Sequence, residues 1–169
     1  MSSEAQDTIW IEPLTAEAFV PFGQVISTEG AHHYPINGGM TERYHDLAKI
    51  ELGGPNPRPL LSLFRGQPYA LPLTLRLVER HPLGSQAFFP LSDRPFLVIV
   101  AEDEGGMPAR LRAFRTGSGQ GVNIAMNTWH GVLTPLEAVS DFLVVDRGGE
   151  GNNLEEYTFP VPYRIAERE

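Results

Sequence analysis

Leu73-Thr74-Leu75-Arg76-Leu77-Val78-Glu79-Arg80-His81, then the turn Pro82-Leu83-Gly84-Ser85 and a second run from Gln86 to Leu91, is the stretch on which the fold turns. Side chains of an extended strand alternate sides, so Leu73, Leu75, Leu77, Glu79 and His81 share one face and Thr74, Arg76, Val78 and Arg80 the other. The face that begins apolar ends in a carboxylate and an imidazole. Burying either without a partner is costly, and a metal ion would satisfy both. The competing reading is a structural pair, acid and imidazole joined to each other or to Arg80. Two further residues favour a site. Gln86 opens the second run on the face of Phe88, and His130 follows far downstream in Asn127-Thr128-Trp129-His130-Gly131.

Outward from this hairpin, nearly all periodicity is two-fold. Strands are expected at Gln24 to Ser27, Glu42 to Ala48, Leu60 to Arg65, Phe96 to Ala101, Ala109 to Arg115, Val122 to Met126 and Val139 to Asp146, separated by Gly- and Pro-rich turns. Thr15 to Val20 is the one convincing helical stretch, with Thr15 as its cap. About nine short strands point to an all-β barrel or jelly roll of antiparallel strands with few short helices. Its interior is expected to be lined by Leu73, Leu75, Leu77 and Phe88. Neither a repeat nor a long linker divides residues 1–169, so one domain is expected. The tail from Leu154, with Pro160 and Pro162, is expected to dock as an extended segment and fray at its charged end.

Composition removes several functions. The net charge of −8 repels phosphate backbones and anionic lipid, so no nucleic-acid or membrane partner is expected. The absence of cysteine excludes disulfides, thiolate ligands and thiol nucleophiles. Met1 to Leu14 lacks a basic start before an apolar core, and the longest apolar run, Phe96 to Ala101, is far too short for a membrane span. A cytoplasmic location is expected. Twelve of the 13 basic residues other than histidine are arginines, with Lys49 the lone lysine, so a carboxylate would be bound by a guanidinium fork.

Other motifs read plainly. His32 and His33 precede Tyr34-Pro35 in an expected loop and are read as solvated. Arg43 and His45 share a face with Leu47 and line the pocket if that face turns inward; otherwise they sit on an exposed edge strand. Gly117-x-Gly119-x-Gly121 leads into a strand pattern and is read as a hairpin loop, not a phosphate cradle. Arg110, Arg112 and Arg115 read as a solvated strand face. No Gly-x-Ser-x-Gly elbow supports a serine hydrolase.

Glu79-x-His81-(x)4-Gln86 resembles the first metal motif of the cupin superfamily, with Glu79 in place of its first His and Gln86 in place of its Glu, and Gly119 to His130 is similar in length to the second. Within that superfamily, Glu42 to Ala48, Glu79 to Phe88, Gly119 to Asn123, Trp129-His130 and Asp141 to Gly149 resemble the signature blocks of ureidoglycolate lyase. Pro13-Leu14-Thr15 to Phe22-Gly23 is also similar. The resemblance implies a cupin-like barrel, a homodimer, an association with nickel, and cleavage of (S)-ureidoglycolate to glyoxylate and urea in allantoin breakdown. The metal ligands it implies are Glu79, His81, Gln86 and His130.

That reaction needs a clamp for the substrate carboxylate, a base for its hydroxyl and an acid for the leaving nitrogen. Arg43 and Arg147 are the candidate clamps, His45 lies beside Arg43, and Glu79 and His130 are the candidate base and acid. A metal-dependent cupin dioxygenase or isomerase, or a non-catalytic cupin that binds a small acid, would use the same barrel.

Overall fold

The computed structural model describes residues 7–169; residues 1–6, the start of the segment read for a leader, lie outside them. Two sheets hold most of the strand residues. In the larger the strands run in the order Arg112–Arg115, Thr8–Pro13, Glu155–Ala166, Leu73–Arg80, Trp129–His130, Phe96–Ala101 and Thr134–Pro135. Arg112–Arg115 pairs in addition with Phe96–Ala101, which closes six of these strands into a barrel. The smaller sheet runs Gly23–Ile26, Gly121–Ile124, Gln86–Pro90, Ser140–Gly148 and Arg58–Gly66. The all-β barrel expected from the alternation, and the cupin-like form that the resemblance implies, are therefore what forms.

The strand Phe96–Ala101 shows how the core divides. Phe96, Val98 and Val100 join Phe88, Val122, Phe142 and Val144 in an apolar layer between the two sheets. Leu97, Ile99 and Ala101 turn the other way and meet Leu75, Val78, Trp129 and Ile165 in a second cluster, to which all six barrel strands contribute. A strand packed on both faces cannot be read by alternation alone. On Leu73–Arg80 the alternation itself breaks, since Leu75 and Val78 both enter the second cluster and the register with Glu155–Ala166 shifts between them, and this corrects the expected interior lining. Leu75 and Phe88 are buried but in different clusters, Leu73 is half-buried, Leu77 is half-buried and belongs to neither cluster, and Val78, expected outside, is fully buried.

Some boundaries also move. The strand expected over Glu42 to Ala48 is Thr41–Tyr44, paired with His33–Ile36 in a separate two-stranded hairpin, so His33 lies on a strand although it is exposed. The strand expected from Ala109 starts at Arg112. Thr8–Pro13, not expected as a strand, lies parallel to both of its neighbours, whereas the other pairings are antiparallel. The tail adds twelve residues of strand, Glu155–Ala166, and its prolines fall where the register with Leu73–Arg80 shifts, between Thr158 and Tyr163, where no ladder donor is required of them. The helix is Ala16–Phe19; Thr15 Oγ1 accepts from Ala18 N at 3.2 Å, and Phe19 is fully buried. No helix among the described residues is long and apolar enough to cross a membrane.

Candidate metal centre and active site

Two neighbouring strands bring the site together. Glu79, near the end of Leu73–Arg80, lies directly across from His130 on the short strand Trp129–His130. Alternation sends the residues beside them the opposite way. Trp129 enters the barrel cluster and donates its indole N–H to Asp103 Oδ1 at 3.0 Å. Arg80 stacks 4.6 Å from the Trp129 ring centroid and pairs with Asp103 at 2.7 Å and Glu155 at 2.6 Å. Arg80 is therefore committed to other acids, and the structural-pair reading loses its cation for Glu79.

On the site face, Glu79, His81 and His130 each offer one ligand atom, and these atoms lie within 4.8 Å of one another. The two imidazole rings are 5.1 Å apart between centroids. Each ring is held from behind: His81 Nδ1 donates to Asn153 O at 2.8 Å and His130 Nδ1 to Gly131 O at 2.8 Å. With Nδ1 protonated, each neutral ring keeps a lone pair on Nε2, and both Nε2 atoms are buried without a hydrogen-bond partner. Gln86 Oε1 is buried and unpartnered as well, while its Nε2 donates to Asp146 Oδ2 at 3.2 Å. Buried acceptors left in this state are expensive. An acceptor-rich cluster backed by carbonyls fits a divalent cation, and no donor among the described residues meets those three atoms.

Burial also sets the charges. It drives the His130 pKa down to about 4, the Gly131 carbonyl opposing this and His81 adding to it, so His130 is a neutral imidazole at pH 7. Such a ring is a poor base but keeps a lone pair for a ligand bond. Glu79 is raised above the usual carboxylate range chiefly by burial; His81 opposes that shift, and Glu156, directly across from it on the neighbouring strand, adds to it. Beside His130 lies a small apolar cavity bounded by Phe88, Val98, Val122, Ile124 and Leu133. A roomier surface cleft, lined by Glu29, Arg115, Gln120 and Glu167, shares no residue with the triad, so the centre is marked by its donors and not by volume.

The sequence profile of the family described as ureidoglycolate lyase matches residues 6–166. The chain belongs to the ureidoglycolate lyase family. A ureidoglycolate lyase of Chelativorans sp. is 66% identical over 154 residues, covering 91% of this chain and 93% of that one. Ureidoglycolate lyase 2 of Rhizobium meliloti is 59% identical, covering 92% and 95%, and the Mesorhizobium japonicum enzyme is 60% identical, covering 93% and 96%.

In this member of the ureidoglycolate lyase family the remaining site residues expected from sequence are placed differently. Arg43 is exposed on Thr41–Tyr44, and His45 just beyond it is half-buried, its Nδ1 3.5 Å from Tyr34 Oη. Neither is part of the triad. Arg147 is buried, and its fork is occupied by backbone carbonyls: Nε donates to Gly53 O at 2.6 Å, and Nη2 to Pro55 O at 3.1 Å and Glu150 O at 2.7 Å. Gly84 makes room for it, since a Cβ there would stand 2.6 Å from Arg147 Cβ. Arg147 thus ties the Gly53 loop to the loop that carries Asn153. Sequence reasoning missed Asn153 and Asp146, which act on His81 and Gln86 from 72 and 60 residues away. Asp146 could have been suspected from its place inside a strand of alternating apolar residues.

Proposed function

We propose that residues 1–169 act as one domain that cleaves (S)-ureidoglycolate to glyoxylate and urea. The observation that carries this reading is the triad of Glu79, His81 and His130 with the unpartnered Gln86 oxygen, in a chain whose close relatives are named for this reaction. Glu79, His81, Gln86 and His130 are assigned as the ligands of a divalent ion, nickel by resemblance to the family. When bound, such an ion acidifies a coordinated hydroxyl and stabilises negative charge on its oxygen.

The reaction moves one proton. The substrate hydroxyl loses it, the carbon–nitrogen bond to the ureido group breaks, and the nitrogen regains it, leaving an aldehyde and urea with no water consumed. A group that accepts a proton easily and returns it suits this exchange. The carboxylate of Glu79 has two oxygens, one for the ion and one left to take the hydroxyl proton and return it, and it is assigned that work. His130, held neutral, keeps its Nε2 lone pair for binding and is not assigned the acid role. Arg43, exposed on the separate two-stranded hairpin with His45 just beyond it, is the proposed clamp for the substrate carboxylate; Arg147, whose fork is filled, is assigned to holding the loop behind His81.

We also propose a homodimer. Arg58–Gly66 is an edge strand of the smaller sheet, and it presents Leu61 and Leu63, 73% and 69% exposed. A cytoplasmic location is proposed on the cysteine-free composition and on the small carboxylate substrate.

The test is to supply purified protein with (S)-ureidoglycolate and to measure glyoxylate, urea and ammonia against a protein-free control, because the substrate also decays on its own. Equal glyoxylate and urea without ammonia is the expected result. Ammonia in place of urea would mean attack at the urea carbonyl and would overturn the lyase reading.

A further inference from the structure

An amide is chemically two-faced. Gln86 can turn either its carbonyl oxygen or its NH2 group toward the triad, and only the oxygen is useful to a cation. We propose that Asp146 is a positioning residue that fixes the polarity of the Gln86 amide, turning Oε1 toward Glu79, His81 and His130; this rests on the metal reading above.

Strand register brings the two side chains together. Ser140–Gly148 pairs with Gln86–Pro90 so that Val144 faces Phe88 and Val145 faces Ala87. One more step along the same register sets Asp146 against Gln86, on the inner face that Val144 and Phe88 share. The contact is made: Gln86 Nε2 donates to Asp146 Oδ2 at 3.2 Å. A carboxylate has only acceptors to offer, so it can hold the NH2 end and never the oxygen end. Gln86 Oε1 is thereby directed away from Asp146, and it is buried with no partner.

The direction is the useful one. Gln86 lies across from Ile124 and two residues from Phe88, and both of these bound the cavity that His130 also lines. The arrangement repeats at each ring: Asn153 O and Gly131 O take Nδ1 and free Nε2, and Asp146 takes the amide NH2 and frees Oε1. Asp146 is not itself among the three converging ligands. Its effect must therefore pass through the amide, and it should disappear when residue 86 has no polarity to fix.

The experiment is a double-mutant cycle on protein purified without a His tag and stripped of metal. Cobalt(II) is titrated calorimetrically into wild type, Asp146→Asn, Gln86→Glu and the double variant, and the Gln86 side-chain amide is followed by 15N–1H NMR in metal-free wild type and Asp146→Asn. An Asn at 146 can donate as well as accept, so the amide is free to turn. Asp146→Asn is expected to weaken cobalt binding about 10- to 100-fold when Gln86 is present, the range for partners that orient metal ligands. In the Gln86→Glu background the same change is expected to leave binding unchanged or tighter, because it then relieves two adjacent carboxylates. The Gln86 amide signals should shift in Asp146→Asn before any metal is added. Equal losses in both backgrounds, or unmoved amide signals, would overturn the proposal. Wild-type protein that takes up no cobalt would instead overturn the metal reading, and the amide signals would still decide which way Gln86 points.

Discussion

His81 and His130 each spend one ring nitrogen on a backbone carbonyl and leave the other buried and bare, at a cost that only a bound group offsets. Replacing His130 by Ala removes one of three converging donors, and kcat/KM is expected to fall about a hundredfold or more, whereas His33→Ala, an exposed residue on the separate hairpin, should leave it unchanged. Arg43→Ala should raise KM, with Arg43→Lys recovering part of the loss, if its fork holds the substrate carboxylate. Arg147→Met strips donors from three carbonyls and is expected to lower stability by about 2 kcal/mol or more, measured by urea unfolding, with cobalt affinity falling as the Asn153 loop loosens. The four proposed ligands were legible in the sequence because they stand at the end of an alternating strand, just past its turn and in one short downstream motif. The occupied fork of Arg147 was not, since its partner Gly53 is 94 residues away and a carbonyl cage leaves no local pattern.

At the scale of elements, the parallel strand Thr8–Pro13 is anchored by a two-pronged ion pair: Arg112 Nε and Nη2 donate to Glu12 at 3.1 and 2.8 Å. The Arg112 hydrogen bond holds the Glu12 carboxyl below its ordinary value of 4.5. A depressed carboxylate stabilises the fold above 4.5, and that contribution disappears as pH falls through the lowered folded-state value. Glu12→Gln should therefore be less stable than wild type at neutral pH, by about 1 kcal/mol at most for so exposed a pair, and the two melting curves should converge in acid. The nine expected strands were legible because most carry their own alternation and flanking turns, whereas His33–Ile36, read as loop, and the two-residue strands Trp129–His130 and Thr134–Pro135 do not. Thr8–Pro13 was not, because its partners are Arg112–Arg115 and Glu155–Ala166, far along the chain. Val78 was assigned to the wrong side for a different reason: Leu75 and Val78 both enter the barrel cluster, so the strict alternation of the strand breaks between them, where its register with Glu155–Ala166 shifts.

For the whole molecule, Leu61 and Leu63 remain exposed on a sheet edge, opposite Val145 and Leu143. Leu61→Glu with Leu63→Glu is expected to convert a dimer into a monomer in sedimentation at micromolar concentration while leaving the β-type circular dichroism intact; a monomeric wild type would remove the dimer from the account. The central claim is that one centre, built where the two sheets face each other, holds a divalent ion and carries the lyase activity. Its most direct test is anomalous diffraction from crystals of nickel-loaded protein whose activity has been measured in the same preparation. A single peak within bonding distance of Nε2 of both His81 and His130, a Glu79 carboxylate oxygen and Gln86 Oε1, together with activity that falls on chelation and returns with nickel, is the result expected. Full activity in metal-free protein, or a peak elsewhere on the chain, would contradict it.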